Sequence, residues 1–312
     1  MVLKTLKLNT TVISTLILVF VSCTNSVNKE HKQPNYWSNN VIIKNNVAYN
    51  NSANSMQKLD LYLQGTYVGE PIYTKIDSTP RSTLIYIHGG GWAVGDKQTS
   101  MNYFLHFLEK GWNVISVNYT LAKPGDNFKI IPTTVNDVMT AINWVVNNAD
   151  KYNIDKSNIV LGGESAGGQL SMISGIFNSN TGMHNKSLED KIRIKAVINW
   201  FGVMDIEKFF YHIMTDKDKN KMIESEKISL HETSEKYSPV KHINNNTPPV
   251  ITIHGSDDSA VPISQAKTLH NKLESAGVRN KLMIIEKGKH AGFSNEQWAE
   301  AFDGIFKFIG VE

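Results

Sequence analysis

A single cysteine, Cys23, stands in the 312 residues, so no disulfide can close within this sequence and its core alone must hold the fold. Excess charge of one sign is also missing. Lys and Arg number 32 and Asp and Glu 29, a formal net charge of +3, with no block of like charge. The nearest basic run, 217–221, is broken by Asp218 and reads as a solvated segment. Nothing therefore suggests a nucleic-acid surface. The apolar run 12–21 is too short to cross a bilayer, which takes roughly 20 apolar residues. No Cys or His cluster has metal-ligand spacing, and neither Gly-Lys-Ser/Thr nor G-x-G-x-x-G is found at the glycine-rich positions. Neither a metal nor a cofactor is expected. What remains, 41% hydrophobic and 20% charged residues, is the composition of an ordinary globular protein.

The first residues carry a separate pattern. Lys4 and Lys7 precede the apolar run, which ends at Ser22-Cys23. A basic segment followed by a short apolar stretch is the layout of a secretory signal, here residues 1–22. With Cys23 at the cleavage position, it resembles a bacterial lipoprotein signal, although Phe20-Val21-Ser22 differs from the usual Leu-Ala/Ser-Gly/Ala. The resemblance implies export, a lipid on Cys23 and attachment to a membrane outside the cytoplasm. A plain secretory signal is the alternative. Cleavage would remove Lys4 and Lys7 and bring the basic residues nearly level with the acidic ones. Residues 23–40, polar and aperiodic, read as a flexible tether.

From residue 41 to 312 short apolar runs alternate with amphipathic stretches. Strands are expected at 58–63, 83–87, 113–119, 159–161, 194–200, 250–254 and 281–285. Helices are expected at 97–110, 131–151, 166–176, 263–276 and 296–309. Such alternation predicts an α/β domain with a mainly parallel sheet covered on both faces. The segment at about 202–246 is longer than a normal connection and reads as a lid-like insertion above the sheet's carboxyl edge.

Two motifs carry chemistry. Gly163-Glu164-Ser165-Ala166-Gly167-Gly168 fits G-x-S-x-G, with a strand expected before it and a helix after it. A sharp strand-to-helix turn strains the serine backbone, so its neighbours must be small, and it lifts the hydroxyl toward the positive end of the helix. His88-Gly89-Gly90-Gly91-Trp92 closes another strand and leaves backbone N–H groups unshielded. Donors from Gly90, Gly91 and Ala166 would serve an oxyanion, each worth roughly 3–4 kcal/mol.

In this order and spacing the two motifs resemble the esterase/lipase branch of the α/β-hydrolases, which includes the hormone-sensitive-lipase-like carboxylesterases. The likeness runs from about residue 58 to the C-terminus. It takes in Val117-Asn118-Tyr119, Tyr152-Asn153-Ile154-Asp155, Tyr237-Ser238-Pro239 and Pro248-Pro249. Glu164 stands where many relatives have Asp, and His290-Ala291-Gly292-Phe293 where many have His-Gly-Phe. The resemblance implies the α/β-hydrolase fold and a triad in the chain order serine, acid, histidine. Ser165 is the expected nucleophile. Among histidines beyond the acid candidates, His270 lies within a helix, whereas His290 follows a strand in a glycine-containing loop. Either Asp257 or Asp258 could orient His290; alignment to the family's His-Gly-x-x-Asp places Asp258 there. His88 and His254, at strand ends, read as loop-fixing residues.

The activity implied is hydrolysis of short-chain or carbohydrate-linked carboxylic esters through an acyl-enzyme. Lipid esters, peptides cleaved by a serine peptidase of this fold, and a non-catalytic ligand-binding module are the alternatives. The last is disfavoured by the presence of His290. Trp92, Trp200, Phe209 and Phe210 are candidates for the substrate pocket. The oligomeric state stays open.

Overall fold

The computed structural model describes residues 40–52, 54–67, 74–179 and 193–311. The expected signal, Cys23 and nearly all of the expected tether lie outside the described residues. Nine strands form one sheet: β1 (Asn40–Ala48), β2 (Lys58–Tyr67), β3 (Thr74–Ile76), β4 (Arg81–Ile87), β5 (Asn113–Val117), β6 (Ile154–Glu164), β7 (Ile194–Trp200), β8 (Val250–Gly255) and β9 (Asn280–Ile285). Their order is β1-β2-β5-β4-β6-β7-β8-β9, with β3 paired to β2. The ladders from β5 through β4 to β9 are parallel, while β2 runs antiparallel to β1, β3 and β5.

Alternation along each central strand divides the apolar side chains between two cores. Ile85, Ile87, Ile159, Leu161, Val197 and Val250 belong to one. Leu84, Tyr86, Val160, Ile198, Trp200 and Ile251 belong to the other. The first is covered by α2 (Ile131–Asn147), α3 (Ala166–Ser179) and α7 (Ser264–Ser275). The second is covered by α1 (Leu105–Glu109) and α8 (Asn295–Ile309). Burial on both faces is why the central strands are nearly continuous apolar runs. Pro132 lies in the first turn of α2, where a missing N–H costs nothing. A capping box, Ser294 with Gln297, starts α8, and Gly310 ends it at φ 71°.

Between β7 and β8 the chain forms α4 (Ile206–Ile213), α5 (Asp216–Lys221) and α6 (Glu224–Tyr237). Because β7 ends at Trp200, this segment leaves from the carboxyl edge of the sheet. It is seated on the first core by Ile206, Phe210 and Leu230. Gln265 fastens it further: its Oε1 accepts the N–H groups of Met204 (2.9 Å) and Asp205 (2.7 Å).

Three details differ from the sequence reading. The helix expected at 97–110 is a turn, a 3-10 segment at Met101–Tyr103 and then the five-residue α1. Lys97 and Ser100 are buried with polar partners, and an amphipathic helix would not turn them inward. The helix expected to reach 151 stops at Asn147, and a 3-10 turn at Asp150–Tyr152 leads into β6 through Asn153, at φ 50°. Strands β1 and β3 were not expected at all.

Candidate active site

Ser165 sits between β6 and α3 at φ 55°, a left-handed conformation that costs a non-glycine residue about 1–3 kcal/mol. The turn is tight. A Cβ on Gly163 would lie 2.4 Å from the Gly167 carbonyl oxygen, and one on Gly167 would lie 2.0 Å from that of Ile87. Only glycine fits either place. The Ser165 N–H donates to Trp200 O (2.9 Å), and Ser165 O accepts from Gln169 N (3.1 Å), so neighbouring strand and helix fix the residue from both sides.

The glycine loop after β4 lies against this turn. Gly90, Gly91 and Trp92 have φ values of 103°, 61° and 60°. Gly90 O accepts from Ala93 N (3.1 Å) and Val94 N (3.0 Å), and among the described residues the Gly90 and Gly91 N–H groups meet no acceptor. A Cβ on Gly90 would fall 2.0 Å from Val94 O. His88 stacks on Tyr119 at 4.4 Å, and its Nδ1 donates to Gly89 O (2.7 Å). The Tyr119 hydroxyl donates to His88 O (2.9 Å). Burial pushes His88 below the usual histidine pKa, which favours a neutral ring.

The acid and the histidine meet at the ends of β8 and β9. Asp258 Oδ2 lies 2.7 Å from His290 Nδ1 and 3.3 Å from His254 Nε2. Its Oδ1 accepts the N–H groups of Ala260 (2.9 Å) and Val261 (2.8 Å). Burial opposes ionisation of Asp258, yet the hydrogen bonds from His254, His290 and Val261 outweigh it and hold the carboxyl well below the usual range. A carboxylate at Nδ1 leaves Nε2 of His290 as the ring's base position. Asp257 is exposed, and its Oδ1 accepts from Ser256 Oγ (3.0 Å). The Phe201 ring, one residue beyond the Trp200 carbonyl that holds Ser165, lies 4.5 Å from the His290 ring. The serine turn, the glycine loop and the Asp258–His290 pair are thus gathered at the carboxyl edge, where open α/β sheets bind ligands.

The expected pocket residues are placed differently. Trp92, Trp200 and Phe210 are buried, so little of their side chains is open at the surface. Strand parity sends Trp200 into the second core, 5.1 Å from Trp298 and 5.3 Å from Tyr103. The Trp92 ring lies 6.0 Å from those of Phe210 and Phe209, and its Nε1 donates to Gln169 Oε1 (3.1 Å). Gln169 Nε2 in turn donates to Tyr237 O at the end of α6 (2.9 Å). Of the four, Phe209 alone keeps partial exposure. These aromatics seat the insertion. His270 is buried in α7, with Nδ1 against Asn280 Oδ1 (2.7 Å), away from the triad candidates.

Two contributors escaped the sequence reading. Glu164 was noted only as a departure from Asp, but its carboxylate accepts hydrogen bonds from Gly89 N (2.8 Å), Ser100 Oγ (2.6 Å) and the Tyr86 hydroxyl. Burial pushes its carboxyl up, against those three bonds. Gln169, within the run after Gly167-Gly168, gave no signal of linking the glycine loop to the insertion.

The sheet order and this arrangement define an α/β-hydrolase fold. The chain belongs to the BD-FAE family, whose model matches residues 72–273. Among named proteins it is similar to esterase LipC of Mycobacterium tuberculosis (strain ATCC 25618 / H37Rv). That pair is 28% identical over 218 residues, covering 66% of this chain and 51% of LipC. The probable carboxylic ester hydrolase LipM of the same organism is 27% identical over 61% of this chain and 44% of its own. The chain thus spans about half the length of these relatives. Among solved structures, a truncated form of carbohydrate esterase from gut microbiota superposes with a TM-score of 0.68 at 24% identity, covering 88% of this chain and 98% of its own. The "Bifunctional GH43-CE" of Bacteroides eggerthii gives 0.64 at 26% identity, covering 85% of this chain and 38% of its own.

Proposed function

We propose that the protein is a serine carboxylic ester hydrolase acting through an acyl-enzyme on short-chain or carbohydrate-linked esters. The observation that carries the reading is the 2.7 Å hydrogen bond between His290 Nδ1 and Asp258, at the same sheet edge as a serine held at φ 55°. In this mechanism His290 takes the proton of the Ser165 hydroxyl while Oγ bonds to the ester carbonyl carbon. The carbonyl oxygen becomes an oxyanion, and the N–H groups of Gly90, Gly91 and Ala166 stabilise it. Collapse breaks the ester C–O bond, and His290 returns its proton to the leaving alcohol. Water then repeats the sequence on the acyl-enzyme, releasing the acid and restoring Ser165. The ester-hydrolase names of relatives and the carbohydrate-esterase name of a similar structure support the reaction class and the substrate range.

The test is a panel of p-nitrophenyl esters from acetate to decanoate, with acetylated xylan and methyl ferulate. Ser165→Ala should cost ~10⁴–10⁶ in kcat while the protein stays folded. Hydrolysis retained above about a tenth of wild type would remove Ser165 from the role of nucleophile.

The N-terminal pattern supports a second proposal: the protein is exported and held at a membrane through a lipid on Cys23. Expressed in a bacterial host, the full chain should partition with membranes and Cys23→Ser should release it. Membrane association unchanged by Cys23→Ser would leave the apolar run, not a lipid, as the anchor.

A further inference from the structure

Glu164 lies where the glycine loop touches the serine turn. A Cβ on Gly89 would be 2.8 Å from Glu164 O, 3.1 Å from Glu164 Cγ and 3.3 Å from Ser165 Cβ, so the two backbones are in direct contact. Contact alone does not set direction; the Gly89 N–H bond to Glu164 Oε1 does. The carboxylate is itself clamped. Oε1 also takes the Ser100 hydroxyl, and Oε2 takes that of Tyr86. Ser100 is 3% exposed and Tyr86 is 1% exposed, with its ring stacked on Tyr103 at 5.8 Å. Gly90 and Gly91 follow at once, with no side chain to restrain their positive φ. Within the loop, Gly90 O takes Ala93 N and Val94 N and Gly89 O takes His88 Nδ1, and Glu164 adds the fixed point nearest the serine.

We infer that Glu164 is a positioning residue, whose clamped carboxylate holds the Gly89 N–H and so registers the Gly90 and Gly91 donors with Ser165. It touches no substrate and acts through the loop. For its kinetic readout the inference rests on the ester-hydrolase reading above.

Two substitutions separate geometry from charge. In Glu164→Gln the amide oxygen can keep Gly89 and Ser100, and the amide nitrogen can donate to a turned Tyr86 hydroxyl, so kcat should stay within about threefold of wild type. In Glu164→Leu, similar in bulk, all three bonds are lost. There kcat should fall about 10²-fold with KM little changed, because a misaligned donor weakens the transition state more than the bound ester. Affinity for a trifluoromethyl ketone that forms a tetrahedral adduct should fall by a similar factor. Hydrogen–deuterium exchange of the 89–94 backbone should speed up in the Leu variant and be restored in Gln. If Glu164→Leu does not fold, Tyr86→Phe with Ser100→Ala leaves the carboxylate in place but unclamped and carries the same readouts. Wild-type kcat in the Leu variant, or equal losses in Gln and Leu, would overturn the inference. Exchange unchanged by the loss of Glu164 would overturn it even for a protein that hydrolyses no ester in the panel. Faster exchange in such a protein would uphold the loop contact and fail only the hydrolase reading.

Discussion

His254 Nε2 stands 3.3 Å from the Oδ2 of Asp258 that also meets His290, and the same nitrogen lies 2.8 Å from Val261 O. A carbonyl can only accept, so His254 carries its proton on Nε2 and shares it between the backbone and the carboxylate. Asp258 is thereby held by a group from β8, the strand just before it, as well as by His290. Asp257, one residue earlier, has none of these contacts. Asp258→Asn should cost about 10⁴ in kcat if it upsets the histidine tautomer as in other triads, and Asp257→Asn less than about threefold. Steady-state rates on p-nitrophenyl acetate decide. A more damaging change at Asp257 would reverse the assignment.

Phe209 and Phe210 are adjacent, yet they should respond differently. Phe210 is 8% exposed and packs on Trp92 and Phe128, so Phe210→Ala should lose about 3–5 kcal/mol of stability. Phe209 is half-buried, and Phe209→Ala should lose less while shifting the ranking of esters by roughly 1–3 kcal/mol. Melting temperature and chain-length profile are measured on the same two proteins. An unchanged profile in Phe209→Ala would confine both residues to packing.

Burial lowers the His270 pKa in the folded protein, and its Nε2 has no partner there among the described residues. The unfolded chain takes up this proton from about pH 6.5 downward, while the folded chain resists it. Stability is therefore full above that pH and is lost as pH falls toward the lowered folded value. His88 shifts in the same direction. The fall in Tm from pH 7.5 to 5 should be smaller in His270→Gln than in wild type. Parallel curves would show that His270 does not contribute.

The strands of the central sheet were legible because both of their faces are covered, which leaves runs such as 83–87 and 194–200 mostly apolar. Strand β1 was not legible for the opposite reason. Among the described strands it pairs only with β2, and none of residues 41–48 is buried, so no alternation marks it. The serine turn and the glycine loop showed themselves through glycines that close contacts require. Burial of Trp200 in the second core was not legible, because a position at the carboxyl edge says nothing of which face the side chain takes. The Glu164 cluster was invisible: its partners lie 64 to 78 residues away, and only folding brings them together.

The site draws its parts from loops that follow β4, β6, β8 and β9, in chain order. At about 5–20 residues per second, synthesis takes about 6–25 s to travel from Ser165 to His290. Over that interval, in the proposed mechanism, the Ser165 hydroxyl has no proton acceptor. β8 and β9 are the last of the described strands to be synthesised, and the loops after them carry Asp258 and His290. On the proposed mechanism a nascent chain therefore stays inactive until the loop after β9 is made, and a chain cut short before His290 would keep the Ser165 turn without its base.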